Sequence, residues 1–396
     1  MKSDTKRILF FVPEWPALAS GVLHSQVLSV ARFLSESGFE CLFVGCEVSD
    51  EKATEAGKKV FDVYGIQAFI YGIHSEKHGY VGRLLTARKV YRLTQALVRS
   101  FRPTHVYSRS LVGSAYARRI AADSDVISIF DVRGASSEEV KLKRASGGLR
   151  YWYIRYLEKK EFRKADRLSC VSKNLRGYIG AQVGRKTISV IPSCVDQNKF
   201  FFDREARKEI RAGYGLADDC KLICYCGGLS AWQRVGDIIS LFEKLTGSNT
   251  QYRFLFVTKQ TQQLQKLLGT TTLSKESYFV ESCAQDEVYR YLSAADAGII
   301  MRDDTVVNNV ASPIKIGEYL GCGLPIILTK GIGDFSELIP QAGIGLLLDE
   351  AVDLVGQVNA FMCRLDIEEV RNHCVKFSHE HFAIESYLQE YELLYS

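Results

Sequence analysis

The chain predicts an α/β protein made of two doubly wound, Rossmann-like domains, on three observations. Its 396 residues are too many for one ordinary core and suit two domains of about 200 residues each. Short continuous apolar runs, the pattern of parallel strands buried on both faces, alternate with helix-like stretches throughout. The alternation also restarts near the middle, as a second domain of the same kind requires.

In order, residues 8–12 read as the first strand, followed by a helix over about 23–37 and a strand at 41–44. Residues 105–108, 126–130, 168–171 and 189–191 are the later strands of the first series. The second series runs 222–226, 252–257, 278–280, 298–301 and 324–328. Doubly wound sheets bind ligands at the carboxyl ends of their strands, so chemistry is expected in the loops after these runs.

Composition excludes several classes. Hydrophobic and charged shares of 46% and 24% are those of a soluble globular chain, and no apolar run approaches the ~20 residues of a membrane-spanning helix. The opening MKSDTKRILFFVPEW leads into a strand and lacks the cleavage site of a secretory signal. The eleven cysteines fall mostly in apolar runs, which points to thiols in a reducing cytoplasm rather than disulfides. Cys224 and Cys226 have neither the spacing nor the second pair of a zinc site, so no metal is expected. The net charge of +5 hides an asymmetry: residues 1–200 carry 33 Lys+Arg against 19 Asp+Glu, the remainder 18 against 27. A first half at +14 beside a second at −9 suggests that the first half meets an anionic partner.

The most informative stretch is 312–337, SPIKIGEYLGCGLPIILTKGIGDFSE. Ser312 suits an N-cap and Pro313 a first helical position, so a short helix is expected to start there and end near 321–323. Lys315 then lies in the first turn, where the helix dipole disfavours a cation by roughly 0.3–1 kcal/mol unless an anion shares the site. Glu318 follows one turn later on the neighbouring part of the face. A helix N-terminus, a lysine and a carboxylate suit a ligand with phosphate at one end and hydroxyls at the other, as in a nucleotide sugar. The competing reading is an exposed i,i+3 salt bridge.

This segment resembles the donor-binding region of GT-B glycosyltransferases of the family 4 type, with their pattern P-x-K-x-x-E-Y-L-A-x-G-L-P-V-I and a loop ending in glutamate. Pro313, Lys315, Glu318, Tyr319, Leu320, Gly323, Leu324, Pro325, Ile326 and Ile327 match it, followed by Gly331, Gly333 and Glu337. The resemblance implies two Rossmann-like domains facing across a cleft, a nucleotide diphosphate sugar as donor, no cofactor or metal, and transfer with retention. ISVIPSCVDQNKF at 188–200 resembles the interdomain linker, dividing the chain into an acceptor domain, 1–195, and a donor domain, 196–379. A final helix, about 384–395 within 380–396, is expected to return to the first domain.

Carried onto this sequence, the resemblance gives Glu318 the ribose and gives Ser312, Pro313 and Lys315 the diphosphate. Gly228 stands where the signature G-R-L…K-G has its arginine, and Arg234 falls near its lysine. Val310 stands where many members have a first glutamate, for which Asn308 or Asn309 is the nearest substitute. Arg302, after strand 298–301, reads as a phosphate or sugar contact or as an ion pair with Asp303 or Asp304. Trp232 reads as a base or acceptor contact or as core. In the first domain, Gly21 after the first strand suits backbone contact with a diphosphate. Asp131 and Arg133, after strand 126–130, read as a catalytic pair acting on the acceptor hydroxyl or as an ion pair tying down a loop, with Glu138 and Glu139 as acceptor contacts.

Two basic stretches remain. Residues 83–102 form an amphipathic helical pattern, and 141–164 interleave Lys/Arg with Tyr151, Trp152, Tyr153 and Tyr156. Either fits an anionic membrane surface or a solvated helix with core aromatics, and the first is preferred over nucleic acid. The reading is a retaining glycosyltransferase of surface polysaccharide or glycolipid synthesis, cytoplasmic or peripheral at the membrane's inner face, with a saccharide or lipid-diphosphate-linked acceptor. A sugar-nucleotide 2-epimerase and a non-catalytic nucleotide-sugar or membrane-lipid binding protein are the alternatives.

Overall fold

A computed structural model describes residues 6–16, 23–73, 80–122, 125–143, 148–184, 187–248 and 251–396. It divides into two compact units, Met1–Pro192 with Tyr387–Ser396, and Ser193–Ser386.

The first unit is built on a seven-stranded sheet of order β3-β2-β1-β4-β5-β6-β7, parallel throughout. Its strands are β1 (Arg7–Pro16), β2 (Glu40–Glu47), β3 (Gln67–Gly72), β4 (His105–Ser108), β5 (Ile127–Val132), β6 (Arg167–Cys170) and β7 (Ser189–Val190). The continuous run Ile8, Leu9, Phe10 and Phe11 is wholly buried, as a strand covered on both faces must be. Helix Asp50–Tyr64 begins where the Ser49 hydroxyl accepts the Lys52 N–H and ends at Gly65, whose φ of 67° supplies the left-handed C-cap. The terminal segment closes this unit: the Arg167 guanidinium donates to the Leu393 carbonyl at 2.6 Å and Tyr395 is fully buried.

The second unit repeats the plan with order β10-β9-β8-β11-β12-β13, again all parallel. Its strands are β8 (Lys221–Cys226), β9 (Tyr252–Val257), β10 (Tyr278–Glu281), β11 (Ala297–Ile300), β12 (Ile326–Leu328) and β13 (Gly345–Leu347). In each sheet the chain order reverses beside the first strand, between β1 and β4 and between β8 and β11, and these reversals are the expected ligand positions.

The units divide at 192/193 where the sequence suggested 195/196, and the returning segment starts at Tyr387 rather than 380. Helix Ile367–Phe382 stays with the second unit because it packs on helix Ile314–Gly321: the Ser378 hydroxyl donates to the Gly317 carbonyl, and the Phe382 carbonyl accepts the Val195 N–H at 2.9 Å. The sequence reading also passed over β3 and β13. No helix among the described residues is long and apolar enough to cross a membrane, and no group of three metal-ligating side chains assembles among them.

One close approach ties this fold to its strand ends. A Cβ at Gly298 in β11 would lie 2.4 Å from the Tyr319 ring, whose hydroxyl accepts the Cys226 N–H at 2.8 Å at the end of β8. Gly298→Ala is therefore expected to destabilise the protein by about 1–3 kcal/mol through overpacking, measured by urea unfolding.

Candidate functional site

Helix Ile314–Gly321 starts one residue later than the sequence suggested. Pro313 is its N-cap in extended conformation, and Ser312 caps nothing: its hydroxyl accepts the Ser193 N–H at 3.1 Å. Lys315 is in the first turn as expected, and its ammonium sits 2.6 Å from Glu318 and 3.6 Å from the Cys226 thiol. The i,i+3 salt bridge thus exists, but not on the surface, since the Glu318 side chain is only 3% exposed. Burial opposes the Lys315 charge, and Cys226 and Glu318 beside it outweigh that, so its pKa is raised and it stays an ammonium. The other Glu318 oxygen accepts from Gln285 at 3.3 Å, on the loop after β10. A buried ion pair of this kind is a weak source of stability, which turns attention to what it holds in place.

Arg302 follows β11, at the sheet reversal. Its backbone is pinned to Thr329, whose hydroxyl accepts the Arg302 N–H at 2.9 Å and donates to its carbonyl at 2.8 Å. Among the described residues no carboxylate pairs with its guanidinium, and Nε is buried without a hydrogen-bond partner. Burial lowers its pKa, with the Tyr225 phenol pulling the other way. The expected ion pairs are absent because the neighbouring acids are engaged elsewhere, Asp303 beside Arg234 and Asp304 accepting from Asn309. Burial pushes the Tyr225 phenol up, with Cys226 adding to it, while Lys315 and Arg302 both act to bring it down. The two cations therefore share one neighbourhood, above the carboxyl ends of β8 and β11.

Arg234 does not join them. It pairs with Glu350 through two nitrogens, at 2.7 and 3.1 Å, with Asp237 at 2.6 Å and with Asp303 at 3.5 Å. Its φ of 48° is the left-handed conformation a glycine supplies, and three exposed carboxylates surround its guanidinium. It lines an open pocket of about 600 Å³ with Ser230, Asp237, Lys266 and Asp303. The Gly228 carbonyl accepts a hydrogen bond from the Tyr225 hydroxyl. Trp232 is 45% exposed and so is not core. Val310 is buried, Asn308 donates to the Asp303 carbonyl, and its own carbonyl accepts the Gly333 N–H, so Asn308 braces the glycine loop instead of facing a ligand.

In the first unit, Asp131 lies within β5 and is 3% exposed. One oxygen accepts from Tyr107 and from Arg133, both at 2.6 Å, and the other from Ser169 at 2.8 Å. Burial would raise its pKa, but Arg133 and Arg109 with the two hydroxyls more than offset this and hold it below the ordinary carboxylate range. The Asp131–Arg133 ion pair, the second of the two readings of these residues, is present at 2.6 Å. Glu138 bonds to Tyr151 at 3.2 Å and lies 3.6 Å from Arg155, while Glu139 is exposed. Gly21 lies outside the described residues. Sequence reasoning missed Arg109, directly after β4, although the rule that singled out Asp131, a charged residue ending a buried strand, applies to it equally.

The sequence matches the family model described as glycosyl transferases group 1 over residues 206–380 and that of glycosyltransferase family 4 over 23–199. No curated protein matches it significantly in sequence. Among solved structures, sucrose-phosphate synthase from Thermosynechococcus elongatus is similar at TM-score 0.75 and 16% identity, covering 99% of this chain and 98% of that one. A glycosyltransferase from Rickettsia africae ESF-5 matches at 0.73 and 16%, with the same coverage. Anabaena Alr3699/HepE in complex with UDP-glucose matches at 0.69 and 14%, covering 98% and 99%.

Asp131 also sets a pH dependence. Its depressed pKa contributes stability that is present above the unfolded value of about 3.9 and is lost as pH falls through the folded value. Asp131→Asn is expected to cost about 3 kcal/mol at neutral pH and to flatten the loss of stability below about pH 4, read from unfolding curves across pH 2–7.

Proposed function

Because this chain belongs to the GT-B glycosyltransferases of the family 4 type, we propose that it moves a sugar, with retention, from a nucleotide diphosphate sugar to a saccharide or lipid-linked acceptor. The observation that carries this reading is Arg302, half-buried, whose Nε is buried without a hydrogen-bond partner and whose guanidinium has no carboxylate partner among the described residues, in the neighbourhood of Lys315. A buried, unpaired cation is costly unless an anion completes it, and a diphosphate does so twice over.

In this reading Arg302 and Lys315 hold the diphosphate and stabilise the charge that grows on it as the glycosidic bond breaks. The backbone at 313–315, at the positive end of the helix, adds to them. Glu318, oriented by Lys315 and Gln285, accepts from the ribose hydroxyls. The two cations supply the positive charge that a metal ion would otherwise bring, so we propose a reaction indifferent to chelators. The Anabaena neighbour, whose structure contains UDP-glucose, makes UDP-glucose the first donor to test. The setting we propose is surface polysaccharide or glycolipid synthesis.

Helix Gly148–Lys164 supports a membrane-facing acceptor. Leu149, Trp152, Tyr153 and Tyr156 follow helical spacing and are all exposed, Leu149 to 91%. The aromatics are therefore not core, and Arg150, Arg155, Lys159 and Lys160 lie among them. Helix Tyr80–Phe101 likewise exposes Val81, Leu84 and Leu85 beside Arg83 and Arg88. Such faces suit an anionic bilayer surface.

Isothermal titration with UDP is expected to show one site, weakened about tenfold or more by Arg302→Gln and by Lys315→Ala, with no change on adding EDTA. Equal affinity in both variants would remove the site from this region, and isomerisation of the donor without an acceptor would favour the epimerase alternative. Sedimentation with phosphatidylglycerol vesicles is expected to retain the protein at low salt and to lose most of it in a Trp152→Ala, Tyr156→Ala double variant. Equal sedimentation of that variant would discard the membrane contact.

A further inference from the structure

The two sheets carry the same feature at the same place. Arg302 follows β11 and Arg109 follows β4, each strand lying beside the first strand of its own sheet where the chain order reverses. Arg109 is 8% exposed. Its Nη2 donates to the Gln26 side-chain oxygen at 2.7 Å, a neutral partner, while Nε and Nη1 are buried with no hydrogen-bond partner among the described residues. Directly after the neighbouring strand β5, Arg133 donates from Nε to Asp131 at 2.6 Å, and its Nη1 is likewise buried with no partner among the described residues.

Two guanidinium groups thus stand near one carboxylate, which pairs with Arg133 alone. Asp131 is engaged by Tyr107, Arg133 and Ser169, and among the described residues it makes no hydrogen bond or ion pair with Arg109. The cluster keeps one positive charge in excess, with three unused N–H-bearing nitrogens at the carboxyl edge of the sheet. Burial depresses the Arg109 pKa, and the nearby Arg133 charge depresses it further. A group that only tied down a loop would not leave buried donors open, since buried donors in finished structures are nearly always paired. Planar guanidinium forks match oxygens two at a time, as phosphate and carboxylate present them.

We propose that Arg109 and Arg133 form a subsite for an oxyanion, a phosphate or a carboxylate, carried by the acceptor. The assignment to the acceptor rests on the glycosyltransferase reading above, with the donor on the second unit. The subsite makes the acceptor an anionic sugar or a phosphate-linked one rather than a neutral saccharide. It also uses the positive balance of the first half of the chain. Asp131 is then a positioning residue, holding Arg133 and setting the net charge of the subsite.

The test is calorimetric titration of the full chain, first saturated with UDP so that the donor site is filled, with inorganic phosphate in one arm and acetate in the other. The expected result is saturable binding of at least one anion, the preferred arm naming phosphate or carboxylate as the acceptor group. Arg109→Met is expected to weaken that binding about tenfold or more while UDP binding is retained. In anion-free buffer the same variant is expected to melt at or above the wild-type temperature, because an unpaired buried charge has been removed. A purely structural arginine would give the opposite shift. Arg109→Lys keeps the charge without the fork and is expected to bind the anion several-fold more weakly than wild type, which carries the test if the methionine variant does not fold. Unchanged anion binding in both variants, no binding of either anion to wild type, or a lower melting temperature in Arg109→Met would overturn the proposal. Loss of UDP binding in wild type with anion binding intact would instead count against the donor reading alone.

Discussion

The constraint behind both units is that a parallel sheet covered by helices on each face has no polar side. Strands such as β1 and β8 are apolar along nearly their whole length because each face is buried, so charged groups are expelled to the strand ends. There the chain must solve a second problem, since the first buried layer beyond the sheet is still poorly hydrated and every charge placed in it needs a partner. The positions of Asp131, Arg133, Arg109, Arg302, Lys315 and Glu318 follow from that pressure.

Partner counts separate what is structural from what is functional. Arg234 looks like a ligand-binding cation in the sequence, yet Glu350, Asp237 and Asp303 complete it. Arg207 and Arg211, beside Asp296 in the second unit, are completed in the same way by that carboxylate and by backbone carbonyls. Arg302 and Arg109 contrast with these among the described residues: each has a buried guanidinium nitrogen without a hydrogen-bond partner and no carboxylate partner, whereas Arg371, with one such nitrogen, lies 3.7 Å from Asp296.

The sequence made the second unit's helix and the central strands legible, because continuous apolar runs and the spacing of Lys315 and Glu318 are local signals. The edge strands β3 and β13 were not legible, since an edge strand is half-exposed or very short: β3 alternates exposed and partly buried residues, and β13 has three. The site failed to read wherever the deciding partner was distant. Glu350 lies 116 positions from Arg234, and Ser169 lies 38 from Asp131, so neither the neutralised arginine nor the saturated carboxylate was visible locally. At Arg302 the adjacent Asp303 and Asp304 suggested an ion pair that Arg234 and Asn309 take away.

In the proposed function the carboxyl ends of β8 and β11, with helix Ile314–Gly321, hold a nucleoside diphosphate. A crystal structure of the protein with UDP tests it most directly. Diphosphate oxygens are expected within hydrogen-bond distance of Arg302 and Lys315, and the ribose hydroxyls on Glu318. UDP bound with its diphosphate on Arg234, or away from β8 and β11 altogether, would contradict it.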